Sequence, residues 1–157
     1  MAAKKNVLIV GVGSIGERHL RCFQATGRAN VSLCEINSEQ RKRVAEQYGT
    51  ARSYADLETA LTDSYDAAVI ATPAHLHIPM AVLLGEAGMH LLIEKPLSTS
   101  LDGIASLEQA LAQRDLRAAV AYVLRHHPML RAMQGAIRDG RFGRPIQLIA
   151  VGGQHFP

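Results

Sequence analysis

Two groups of residues in this chain have the types and spacing to do chemistry. The first is the turn Gly11-x-Gly13-x-x-Gly16, and the second is Glu94-Lys95-Pro96 at the end of a later apolar run. The turn follows the apolar run 6–10 and opens a helical stretch. That context raises such a glycine pattern above a chance match and points to a dinucleotide. Gly11 permits a tight turn, Gly13 lets the backbone approach a pyrophosphate, and Gly16 lets the helix pack closely on the strand. The first helical turn, with Ser14 and Ile15, offers free N–H groups and a partial positive charge to phosphates. The Ser14 hydroxyl is either a phosphate ligand or one half of a capping box with Glu17.

Glu35 stands about twenty residues beyond the last glycine, where an acid at the end of the second strand accepts hydrogen bonds from the adenosine ribose. Its charge repels a 2′-phosphate and favours NAD. Arg41 and Arg43, on the following helix, keep NADP open as an alternative.

Lys95 suggests what happens beside the dinucleotide. A hydride leaves a carbinol carbon only as the hydroxyl loses its proton. A lysine amine that is partly desolvated beside a positive nicotinamide sheds its own proton readily, so it can take that one and return it in reverse. Arginine could not, because it stays protonated. His75 and His77 have no cysteine or carboxylate to complete a metal set, so no metal is expected.

The elements needed to hold these groups are legible. Apolar runs at 6–10, 31–35, 66–71, 90–94 and 118–122, with a shorter piece at 51–53, read as strands. Helical stretches at 15–25, 38–48, 55–61, 78–87 and 101–113 separate them, with Ser38 as the expected N-cap of the second. Such alternation demands a parallel sheet with right-handed crossovers. The expected fold is therefore α/β, a doubly wound parallel sheet. A helix at 128–139 and a strand at 146–151 follow, read as the opening of a truncated second α/β domain. The expected domains are 1–124 and 125–157.

The chain has 157 residues and a net charge of +3, which suits one domain plus a fragment. With 4% aromatic residues and scattered basic ones, nothing resembles a nucleic-acid surface. No apolar run approaches the ~20 residues of a membrane span, and no apolar signal region follows Lys5. The two cysteines, Cys22 and Cys34, read as buried reduced thiols, and the expected location is cytoplasmic.

The stretch from Thr72-Pro73 through His77 and His90 to Glu94-Lys95-Pro96, continuing to Tyr122-x-x-Arg125-x-x-Pro128, resembles the signature of the Gfo/Idh/MocA oxidoreductases. The resemblance implies a Rossmann domain followed by a larger domain that holds most substrate contacts and often builds a homo-oligomer. It implies hydride transfer between a nicotinamide and a sugar, cyclitol or related polyol. Thr72 and Pro73 would lie along the cofactor, with His77 near the same edge. Glu94 would help position the nicotinamide half, Lys95 would be the catalytic lysine, and Pro96 would fix its orientation, often through a cis bond. Arg125 would lie near nicotinamide and substrate. Ala74, Met89 and His126 depart from residues frequent in that family. The expectation is a cofactor domain that binds NAD and turns over poorly alone. The other readings are a dinucleotide-sensing module without catalysis and an S-adenosylmethionine methyltransferase.

Overall fold

The computed structural model describes residues 3–149. The chain divides into two compact units, Met1–Ala121 and Tyr122–Pro157. In the first, six parallel strands form one sheet in the order β3-β2-β1-β4-β5-β6. They are β1 (Lys5–Val10), β2 (Ala29–Cys34), β3 (Ser53–Tyr54), β4 (Ala67–Ile70), β5 (His90–Ile93) and β6 (Ala118–Val120). The helices are α1 (Ser14–Ala25), α2 (Ser38–Tyr48), α3 (Leu57–Ala60), α4 (His77–Glu86) and α5 (Ile104–Gln113). The strand order reverses direction between β1 and β4. That is the switch point at which open α/β sheets bind ligands beyond their carboxyl ends.

The central strands are apolar on both faces because helices cover both. Successive side chains of a strand point to opposite faces. Leu8, Val10, Ala68 and Ile70 join Ile78, Ala81 and Leu84 of α4 and Leu107 of α5 in one core. Val7, Ile9, Val31 and Leu33 pack with Leu20 of α1 and Val44 of α2 in the other.

Several local expectations are corrected by the helix ends. Ser38 is the first residue of α2 rather than its cap; Asn37 caps it, its side chain accepting from Gln40 N at 2.9 Å. Asp56 caps α3 by accepting from Thr59 N at 2.8 Å. The Ser14–Glu17 capping box does not form. Ser14 is already helical, and Glu17 instead accepts from Tyr48 Oη at 2.6 Å and Arg43 at 2.7 Å, which ties α1 to α2. These donors hold the Glu17 carboxyl below its usual range, the Arg43 hydrogen bond most of all. Cys34 is buried, and burial, with Asp56 and Glu35 nearby, pushes its thiol up to about 11; Cys22 is exposed, against expectation.

The second unit contains a 3-10 turn, Val123–His126, and α6, Pro128–Arg138. Proline at the first helical position sacrifices no hydrogen bond there. Of the strand expected at 146–151, residues 146–149 form no strand, and the remainder lies outside the described residues. No helix among the described residues is long and apolar enough to cross a membrane.

Two stability predictions follow from this packing. Leu20→Ala, at a fully buried site, lowers the unfolding free energy by about 2–5 kcal/mol in urea denaturation. Asp66 joins the start of β1 to the turn before β4, accepting from Lys5 Nζ at 2.7 Å and Asn6 N at 2.8 Å. Those bonds, Lys5 first, hold its carboxyl below the usual range. Its contribution is therefore present at neutral pH and is lost as pH falls below about 4. The urea midpoint of Asp66→Asn falls less steeply between about pH 5 and pH 2 than that of the parent.

Candidate functional site

The candidate site lies wholly in the first unit, along the carboxyl rim of the sheet. Val10 of β1 is aligned with Cys34 of β2 on one side and Ile70 of β4 on the other, and Ile70 with Ile93 of β5. The residues that follow continue the ladder: Gly11 N donates to Cys34 O at 2.8 Å, Ala71 N to Val10 O at 2.8 Å, and Glu94 N to Ile70 O at 2.9 Å. The strand ends thus form one level edge. Glu35, the glycine turn, Thr72 and Lys95 leave it from four adjacent strands. At ~4.8 Å per strand the edge spans about 14 Å from Glu35 to Lys95. That is room for an extended dinucleotide with its pyrophosphate over α1.

The three glycines do different work. Gly11 has φ +81°, and a Cβ on it would meet Ala71 O at 2.9 Å. A Cβ on Gly16 would fall 1.9 Å from Gly11 O, so only glycine lets α1 start this close to β1. Gly13 differs: its φ of −58° suits any residue, and a Cβ there meets nothing within 4 Å. The chain's own packing supplies no reason for glycine at 13. A phosphate approaching the backbone does. Gly13 is also the N-cap of α1 and brings no side-chain acceptor, leaving the exposed first turn at Ser14 and Ile15 without a side-chain cap. Free N–H groups and a bare helix end suit an anion. On both counts the residues fit a dinucleotide.

Glu35 is anchored to that turn. Its Oε2 accepts from Val12 N at 2.9 Å and its Oε1 from Asn37 N at 3.0 Å. A carboxylate has about four acceptor positions, so each oxygen keeps capacity for a ribose hydroxyl. The arginines that kept NADP open are engaged by the protein: Arg41 donates to Glu35 O at 2.7 Å, and Arg43 to Glu17 Oε2 at 2.7 Å and Gln47 Oε1 at 3.0 Å.

Beyond β4, Thr72 is half-buried and Pro73 exposed, and a 3-10 turn, Ala74–Leu76, leads into α4. Thr72 Oγ1 lies 3.5 Å from Met80 Sδ. His77 opens α4 and is only 1% exposed. Its Nε2 lies 2.8 Å from Thr72 O and its Nδ1 2.9 Å from Pro96 O. The ring thus faces the protein on both sides, at the start of the helix and near the edge where the family resemblance places it.

Beyond β5, Glu94 is 6% exposed, while Lys95 and Pro96 are exposed at the rim. The Lys95–Pro96 peptide is cis. Among the described residues Lys95 forms no ion pair, which leaves its amine available. Glu94 turns inward: Oε1 accepts from His19 Nε2 at 2.7 Å and Oε2 from Lys95 N at 3.2 Å. His19, part-buried on α1, is the candidate that the sequence analysis did not single out. Its spacing of three from Gly16 was the available signal, since it puts both on one helix face.

Arg125 belongs to the second unit, exposed on its 3-10 turn. Among the described residues no cluster of three metal-ligating side chains occurs. At the opposite, amino edge of the sheet a hollow of about 310 Å³ is lined by Asn6, Asn30, Ser32, Arg52 and Asp63. Its charges are already matched: Arg52 pairs with Asp63, which also accepts from Tyr54.

A glycine turn under a bare helix end, an anchored acid and a rim lysine define a nicotinamide-dinucleotide-binding Rossmann domain. Comparison with known proteins agrees. The profile of the oxidoreductase family with an NAD-binding Rossmann fold matches residues 5–122. The chain belongs to this family, Gfo/Idh/MocA. It is 30% identical over 152 residues to inositol 2-dehydrogenase of Azotobacter vinelandii, covering 91% of this chain and 44% of that protein. It is also 30% identical over 140 residues to 1,5-anhydro-D-fructose reductase of Ensifer adhaerens, covering 88% and 42%. Among solved structures, the WlbA dehydrogenase from Bordetella pertussis, in complex with NADH and UDP-GlcNAcA, superposes with a TM-score of 0.81 at 30% identity. That match covers 90% of this chain and 44% of the other. The chain thus spans less than half the length of the relatives it matches.

The glycine geometry yields a paired prediction. Gly13→Ala changes stability by no more than about 1 kcal/mol, the scale of a lost N-cap. It weakens NADH binding about tenfold in a fluorescence titration, or about 1.4 kcal/mol. Gly16→Ala, by contrast, lowers the melting temperature sharply, because its Cβ collides with backbone.

Proposed function

We propose that this chain is the cofactor domain of an NAD-dependent dehydrogenase that oxidises a carbinol of a sugar, cyclitol or related polyol. The observation that carries the reading is the single edge shared by the glycine turn and Lys95, with Lys95 exposed and unpaired. The names of the relatives, an inositol dehydrogenase and an anhydrofructose reductase among them, support the substrate class.

Gly11, Gly13 and Gly16 with the first turn of α1, Ser14 and Ile15, hold the pyrophosphate. Glu35 accepts from the adenosine ribose, and its charge favours NAD over NADP. Thr72, Pro73 and Pro96 line the path between the turn and Lys95. NAD, when bound, supplies the hydride acceptor. Lys95 Nζ takes the hydroxyl proton as the carbinol carbon loses its hydride, leaving a carbonyl product, and returns that proton in the reverse direction. The reading extends to a cytoplasmic, homo-oligomeric full-length protein; the free thiols of Cys22 and Cys34 suit a reducing compartment.

Titration of the chain with NADH, NADPH and S-adenosylmethionine tests the cofactor. Saturable NADH binding is expected, with NADPH about tenfold weaker and no S-adenosylmethionine binding. Equal or tighter S-adenosylmethionine binding refutes the dehydrogenase reading. In the full-length protein Lys95→Met lowers kcat by about 10²–10⁴, the usual worth of a general base, while NADH affinity changes little. Undiminished kcat excludes Lys95 as the base. The isolated chain binds NADH without measurable polyol oxidation.

A further inference from the structure

We infer that His19 and His77 are positioning residues that together form a two-point mount for Lys95, a proposal that rests on the dehydrogenase reading of the rim. Lys95 is one residue past the buried Glu94 and one residue before Pro96. His19 of α1 grips the first of these neighbours through the Glu94 side chain at 2.7 Å. His77 of α4 grips the second through the Pro96 carbonyl at 2.9 Å. The two helices pack on opposite faces of the sheet, with Leu20 of α1 in one core and Ile78 of α4 in the other. The segment is therefore held from both sides, and only the lysine between the grips is free.

Each grip also reaches a second part of the site. Glu94 spends its other oxygen on the Lys95 amide at 3.2 Å, so the His19–Glu94 contact sets the peptide from which Lys95 projects. His19 shares α1 with the turn that would bind pyrophosphate, which links phosphate and lysine through one helix. The second nitrogen of His77 lies 2.8 Å from the Thr72 carbonyl oxygen, so the ring stands between the loop after β4 and the segment after β5. Neither ring has the exposure of a cofactor ligand: His77 is 1% exposed and the His19 side chain 15%. The Glu94 carboxylate accepts, so His19 donates through Nε2; a neutral His77 ring carries one N–H, and the tautomer with that proton on Nδ1 donates to the Pro96 carbonyl. A displacement near 1 Å at a reacting group lowers rates about 100-fold, which is why such a mount matters.

Reductive methylation of the 157-residue chain, read by mass spectrometry, tests the mount. Labelling of Lys95 is compared with that of Lys42, which is exposed on α2. In the parent, NADH slows Lys95 labelling relative to Lys42. His19→Phe and His77→Phe reduce that protection about tenfold. His19→Gln, which retains an N–H for Glu94, restores most of it. Protection unchanged in either phenylalanine variant overturns the mount. If a variant does not fold, hydrogen exchange in the parent decides. The ring N–H groups of His19 and His77 are expected to exchange at least about tenfold more slowly than those of exposed His75. Exchange as fast as His75 refutes the grips. If NADH fails to protect Lys95 in the parent, the cofactor reading falls, while the exchange comparison still decides the mount.

Discussion

The approach of α1 to the first strand is the constraint on which the site depends. The first turn of the helix lies so close to Gly11 that position 16 has no room for even a methyl group. Because of that closeness, the uncapped end of α1 comes out at the sheet's carboxyl edge rather than beside it. From there the helix also carries His19 to Glu94, two strands away from its own. A looser approach would move the uncapped helix end and His19 together.

The edge itself follows from register. Parallel strands with aligned ends release their loops on one line, and the reversal of strand order between β1 and β4 opens a crevice there. Polar groups along that line are largely spent on one another. Glu35 is bound to the Val12 and Asn37 amides, Glu94 to His19 and the Lys95 amide, and the His77 ring sits between the Thr72 and Pro96 carbonyls. Preorganisation of this kind removes side-chain freedom before any ligand arrives, so less ordering is needed on binding. Among the described residues Lys95 is the exception, exposed at the rim and in no ion pair.

Much of the fold was legible in the sequence because its signals are local. Continuous apolar runs marked strands buried on both faces, and Gly11, Gly13 and Gly16 marked the turn that opens α1. Errors fell where one acceptor competes with another. Asn37 outcompeted Ser38 as a cap, and Glu17 found Arg43 and Tyr48 on α2 instead of its own helix end. Residues 146–149, apolar enough to suggest a strand, have no pairing partner among the described residues, and a strand needs one.

The sequence by itself determined the alternation of strand and helix, the glycine turn, and the presence of an acid and a lysine at strand ends. It also carried the family likeness. Tertiary structure decided which histidine meets which acceptor, that His77 is enclosed, and that Glu94 faces inward. The His77–Pro96 and His19–Glu94 contacts join residues 19 and 75 positions apart in the chain. No pattern of period two or 3.6 encodes such a meeting, because it depends on how the helices lie on the sheet.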